Sequence, residues 1–176
     1  MTKWFALGDS ALATDQPDHP MKKFPDMQTS EAWHRHFAVE ANNQAWDMSE
    51  STCTLPNPLA LLNVAHASAW HWQTVGTELN LMRSLMLLAL AHARASLGPT
   101  AWHYAQTMKS FFLAQSDTPD WELAFVHIVH ALAARANGDP QTYMASSMLA
   151  QAAMQAIKNQ EDREIVEKTY RLISPG

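Results

Sequence analysis

Residues that stop and restart helices recur along this chain, and the stretches between them are too long for strands. Asn57-Pro58, Val75-Gly76-Thr77, Gly98-Pro99, Thr118-Pro119 and Gly138-Asp139-Pro140 mark the junctions, whereas an ordinary strand runs only ~5–6 residues. Proline suits the first helical position because its missing N–H has no partner there anyway, and a side-chain oxygen just before it caps the free N–H groups. Asn57, Thr77 and Asp139 stand in that place, with Glu78 just inside the helix that Thr77 opens. The punctuation predicts seven helices: one capped by Ser30 and running to about Ser49, then Pro58 to about Val75, Glu78 to Leu97, Pro99 to about Gln115, one started by Thr118 with Pro119 and ending at Asn137, Pro140 to about Lys158 and Gln160 to Ile173. Only 5 of the 176 residues are Gly, and 47% are hydrophobic, so an all-α chain with a continuous core is expected.

Short turns make successive helices antiparallel neighbours. The third carries Leu81, Leu85, Leu88 and His92 on one face, widened by Met82, Met86 and Leu90, and is expected to be central. The seventh is the most charged, as a helix with one face in water should be. A repeat underlies the pattern. Ala69, Ala91 and Ala131 each stand seven residues before a glycine, at Gly76, Gly98 and Gly138, and the last two segments match at an offset of 131 − 91 = 40. Small residues let helix axes approach, and a glycine is expected to close each hairpin at its C-cap.

Ala-Leu-Ala-His-Ala-Arg-Ala-Ser-Leu-Gly, from Ala89 to Gly98, followed by Ala101 and Ala105, resembles the hairpin of a tetratricopeptide-type repeat. More narrowly, Ala65 to Trp72, Val75-Gly76-Thr77, Arg83 and the C-terminal Asp162 to Val166 segment resemble a group of bacterial tetratricopeptide-repeat-like helical proteins. The resemblance runs from about Asn57 to the C-terminus. It implies an α-solenoid or right-handed superhelix of helical hairpins, and a scaffold role toward peptides or other proteins. It supplies no catalytic residue.

Residues 1–28 read as an irregular arm before a helical-hairpin domain over 29–176, because Gly8, Pro17, Pro20 and Pro25 break any sustained period. Trp4, Phe5, Leu7 and Phe24 favour the arm lying on the body or on a neighbouring subunit, which offers a route to a homo-oligomer. The net charge is −5 and the basic residues are scattered, which excludes a nucleic-acid surface and an anionic membrane surface. No stretch is long and apolar enough to span a bilayer. Cys53 is alone, so neither an intrachain disulfide nor a thiolate metal cage can form, and a reducing cytoplasm fits best.

Ala-Trp-His occurs three times, at residues 32–34, 69–71 and 101–103, in a chain with 7 Trp and 9 His. The expectation is a packing habit: Ala allows approach, Trp fills the layer, and His turns about 100° toward a wetter edge. Trp70 and Trp72 lie about 200° apart on their helix, so both cannot enter one core seam. One of them faces another layer or a groove. His66, Trp70, His71, Trp72, Arg83 and His103 are the candidate groove residues. Arg83 is a cation in an apolar helix and needs a carboxylate, either from a partner or from an internal acid such as Glu40 or Glu78.

Two readings follow. The leading one is a non-enzymatic binding or scaffold protein with no cofactor and a protein or peptide partner. The alternative is a His-ligated, metal-dependent helical-bundle enzyme in which His127 and His130, three apart on one helix face, join His66 or His71 around an ion. Against it, no His-Glu-x-x-His run is present. His34 and His36 are two apart and point away from each other, while His92 can meet His103 across the Pro99 turn. Serines lie within helices rather than on a nucleophile turn, and no Gly-rich phosphate loop exists.

Overall fold

The computed structural model describes residues 29–51 and 57–174. The arm, with its apolar residues and His19, and Cys53 lie outside the described residues. Seven helices follow in order: α1 Ser30–Ser49, α2 Pro58–Val75, α3 Glu78–Arg94, α4 Gly98–Ala114, α5 Asp120–Ala136, α6 Pro140–Ala156 and α7 Gln160–Tyr170. The described chain is all-α. Most starts are set by the caps read from the sequence. Asn57 accepts from the Ala60 N–H at 3.0 Å, Asp139 accepts from Thr142 at 2.9 Å, and Thr77 forms a reciprocal box with Asn80. Thr29 caps α1 one residue before Ser30. Thr118 does not cap α5: its hydroxyl donates back to the Phe112 carbonyl at 2.8 Å, and the helix begins after Pro119.

The hairpin glycines divide their roles in a way the repeat misreads. Gly138 has φ +78 and takes the left-handed position after α5, with Gly138 N–H bonded to Arg135 O and Asp139 N–H to Ala134 O. The same pair of bonds ends α3, but there Ser96, φ 60, holds the left-handed position, with Ser96 N–H on Ala93 O and Leu97 N–H on His92 O. The structural equivalence is therefore 138 − 96 = 42 residues, not 40, and α3 ends at Arg94 rather than Leu97. Gly98 does not close that hairpin. It opens α4, pressed so tightly on the end of α5 that a Cβ there would sit 2.8 Å from Asn137 Cα.

Beyond its hairpin partners, α3 packs on α1 and α5, and α5 packs on α3 and α7, whereas α2, α4 and α6 do not pack on one another. The odd helices thus form a continuous layer and the even helices stand apart on it, a helical repeat-like arrangement. Interior position explains burial. Every residue from Met86 to His92 in α3 and from Ala124 to Ala134 in α5 is buried, so α5 is as central as α3. Alanines at 65, 101, 105, 131 and 133 are fully enclosed and bring the axes together. Phe112 and Phe125, each 1% exposed, fill the space between, each contributing about 1.5–3 kcal/mol by burial. The charged α7 buries only Val166 and Thr169. Its Thr169 hydroxyl donates to Glu50 at the end of α1 at 2.7 Å. Desolvation raises the Glu50 carboxyl above its usual range, and the Thr169 bond opposes that.

Candidate functional site

Because α2 and α4 stand apart, the outer face of α3 lies open between them as the floor of a valley. Leu81, Met82, Ser84, Leu85 and Leu88 line that floor; His66, Ala69, Trp70 and Gln73 form the α2 wall and Tyr104 comes from α4. The residues follow helical periodicity, with Leu81, Leu85 and Leu88 on one α3 stripe and His66, Ala69, Trp70 and Gln73 on one α2 stripe. The groove encloses ≈ 510 Å³, within the range of ligand clefts. Its lining holds no Lys, Arg, Asp or Glu. One end is closed by a line of rings: His66 meets His92 at 5.2 Å between centroids, and His92 meets Tyr104 at 5.4 Å. The His92 Nδ1–H donates to the Leu88 carbonyl at 2.8 Å. Partial desolvation and the neighbouring His92 hold the His66 imidazole below the usual histidine range, which favours its neutral form.

Trp70 is the lip of the valley and is 59% exposed. Its other side belongs to an aromatic shelf across α1 and α2. The Trp70 ring lies 5.4 Å from His34 and 4.9 Å from His71, Phe37 lies 5.5 Å from His71, and Trp33 stacks on Phe37 at 5.5 Å. His34 Nδ1 and His71 Nδ1 are 3.0 Å apart. The first two Ala-Trp-His triplets therefore meet across the α1–α2 hairpin. The third does something else: Trp102 lies against buried His130 at 4.9 Å, and His103 is exposed on α4. Trp70 departs from the packing habit expected of the triplets, since it leaves the layer rather than filling it. The divergence of Trp70 and Trp72 is as the helix geometry requires, with one outside and one inside.

Four candidate groove residues lie elsewhere. His71 faces α1, against His34 and Phe37, on the far side of Trp70 from the valley. Trp72 is 1% exposed and is core, being half a turn from the valley. Arg83 turns away from the groove to Glu122 on α5, Nε to Oε1 at 2.6 Å and the second nitrogen to Oε2 at 3.0 Å, with its guanidinium 5.4 Å from the Trp121 ring. Its carboxylate is thus internal, and neither Glu40 nor Glu78 supplies it. His103 does not line the valley; His92 meets the adjacent Tyr104 instead. Sequence reasoning missed Tyr104, for which no signal existed, and His34, whose partner is 37 residues away. It saw the Leu81, Leu85 and Leu88 stripe and read it as core.

The proposed ligand set of His66, His71, His127 and His130 is not assembled. Among the described residues no three His, Cys, Asp or Glu side chains could hold one ion; His66 pairs with His92 and His71 with His34. His127 and His130 are buried between α4 and α6 beside Lys109. His130 Nδ1 lies 2.7 Å from the Ser146 hydroxyl and 3.5 Å from Lys109 Nζ. Burial, with Lys109 and His127 adding to it, lowers His130 to about 4. His130 and Ser146 are each 2% exposed, so this hydroxyl–imidazole pair is not open to a substrate. None of the described helices is long and apolar enough to cross a membrane.

No protein-family model, curated protein or solved structure matches this chain. The site's own chemistry therefore carries the functional reading.

Proposed function

We propose that this protein is a non-enzymatic binding module that receives an apolar, weakly charged segment of a partner protein in the valley between α2 and α4. One observation carries the reading: Trp70, the largest side-chain type, is held mostly in water at the lip of a leucine-floored groove. An exposed aromatic beside a preformed apolar cleft is the composition of an interface anchor. With no charged side chain in the lining, selection rests on shape and apolarity. A groove with helical walls suits an amphipathic helix that presents anchors at i, i+3 or i+4 and i+7. The resemblance of the Ala89 to Gly98 sequence to a tetratricopeptide-type hairpin supports a scaffold role, and the lone Cys53 supports a cytoplasmic setting.

The test is selection from a displayed library of amphipathic peptides, using the full chain as bait. Peptides that bind the native protein should lose about 30-fold in affinity to Trp70→Ala, the loss of a ~2 kcal/mol anchor, while the melting temperature stays within a degree or two. Enriched peptides that bind Trp70→Ala equally well, or no enrichment at all, would sink the proposal.

A further inference from the structure

We propose that His34 and His71 form a two-imidazole site for a divalent transition ion, copper(II) above all, in which the protein supplies two cis ligands and leaves the other positions open. The pair lies on the α1 side of Trp70, outside the lining of the valley. The two Nδ1 atoms face each other at 3.0 Å from different helices. With metal–nitrogen bonds of about 2.0–2.1 Å, two ligands at a right angle are ~2.9 Å apart, and two tetrahedral ligands ~3.4 Å apart. The observed separation matches the right angle, so tetragonal copper(II) or nickel(II) requires the two rings, now aimed at each other along the hydrogen bond, to turn until both lone pairs meet at one ion, whereas zinc requires them to part as well. The order of affinities along the first-row series also places copper(II) first.

Both rings are already positioned. Trp70 packs on both imidazoles and Phe37 on His71, and both histidines sit on the paired helices α1 and α2. Neither is enclosed: each is half-buried, which leaves room for water or an external donor on the ion. In the metal-free protein one Nδ1–H must donate to the other Nδ1. Binding requires both Nδ1 lone pairs, so the shared proton leaves Nδ1 and the same ring is reprotonated at Nε2. Each imidazole stays neutral, and no oxidant or reductant is needed.

The other histidine pairs are poorer. His92 Nδ1 is engaged by the Leu88 carbonyl, and His127 and His130 lie beside the Lys109 cation. Since no third protein ligand converges among the described residues, the ion held at His34 and His71 is exchangeable.

The experiment titrates copper(II) chloride into the full chain, free of any affinity tag, in a non-coordinating buffer at pH 7.5. Tryptophan fluorescence is followed because Trp70 touches both rings. The expected result is one ion per chain with micromolar affinity, an electron-spin resonance spectrum with hyperfine splitting from two nitrogens, and weaker zinc binding. His34→Ala and His71→Ala should each weaken copper at least tenfold, and His66→Ala/His92→Ala should not. Copper binding unchanged in His34→Ala/His71→Ala, or no binding below 100 μM, overturns the proposal. Should an alanine variant lose its helical circular dichroism, the nitrogen hyperfine pattern of the native protein decides: its absence is equally fatal.

Discussion

Acidification tests how His130 is held. Its pKa is about 4 in the folded chain against an ordinary 6.5, and the first cause is burial, consistent with its 2% exposure. The direction of the linkage follows from the lowered value. Above pH 6.5 the ring is neutral folded or unfolded and adds no pH dependence. As the pH falls from 6.5 toward 4 the unfolded chain takes up a proton that the folded chain refuses, so stability is lost across that window. Integrating between the two pKa values gives a loss of about 2.5 kcal/mol at pH 4.5 relative to pH 7.5, with a limit near 3.4 kcal/mol below pH 4. His127, lowered for the same reason, adds to the loss. The assay is urea denaturation from pH 7.5 to 4.5 for the native chain and His130→Gln, which retains a polar group and does not titrate. Carboxylates elsewhere, Glu50 included, contribute nearly equally to both proteins, so the difference isolates His130. The native chain should lose about 2.5 kcal/mol more than the variant. Parallel curves would refute the reasoning, as would a ring pKa near 6.5 in a direct NMR titration.

Two further outcomes follow from packing. Arg83 and Glu122 join α3 to α5 with side-chain exposures of 17% and 4%, so Arg83→Met should cost about 3–5 kcal/mol by leaving a buried carboxylate unpaired, and Arg83→Met/Glu122→Leu should recover most of it. Denaturation of the single and double variants measures this, and single-variant losses under 1 kcal/mol would place the pair in effective contact with water. In the α3–α4 turn, Ser96→Gly relieves a left-handed serine and should raise stability by about 0.5–1 kcal/mol. Gly98→Ala, driven against the backbone of Ala136 and Asn137, should lower it by about 1–3 kcal/mol; equal effects of the two changes on the melting temperature would show that the turn glycine had been misassigned.

What the sequence determined by itself is local. Asn57-Pro58, Thr77, Asp139-Pro140 and Gly138 act within one helical turn, through a cap oxygen, a missing N–H or a tolerated left-handed φ, and so the helix order and most starts were legible before any fold was known. The divergence of Trp70 from Trp72 was legible too, because 100° per residue is a property of any helix. Ends were less so. Ser96, not Gly98, takes the left-handed position after α3, since packing against the end of α5 demands the missing Cβ at 98. The site required tertiary structure throughout. Whether the Leu81, Leu85 and Leu88 stripe is core or groove floor depends on whether α2 and α4 close over it, and nothing in α3 records that they do not. Arg83 announced the need for a carboxylate, but its partner is 39 residues away, and only the stacking of α3 on α5 chooses Glu122 over Glu40 and Glu78. His34 was set aside because it faces away from His36; the packing of α1 against α2 then gave it His71, a pairing made by the helix crossing alone.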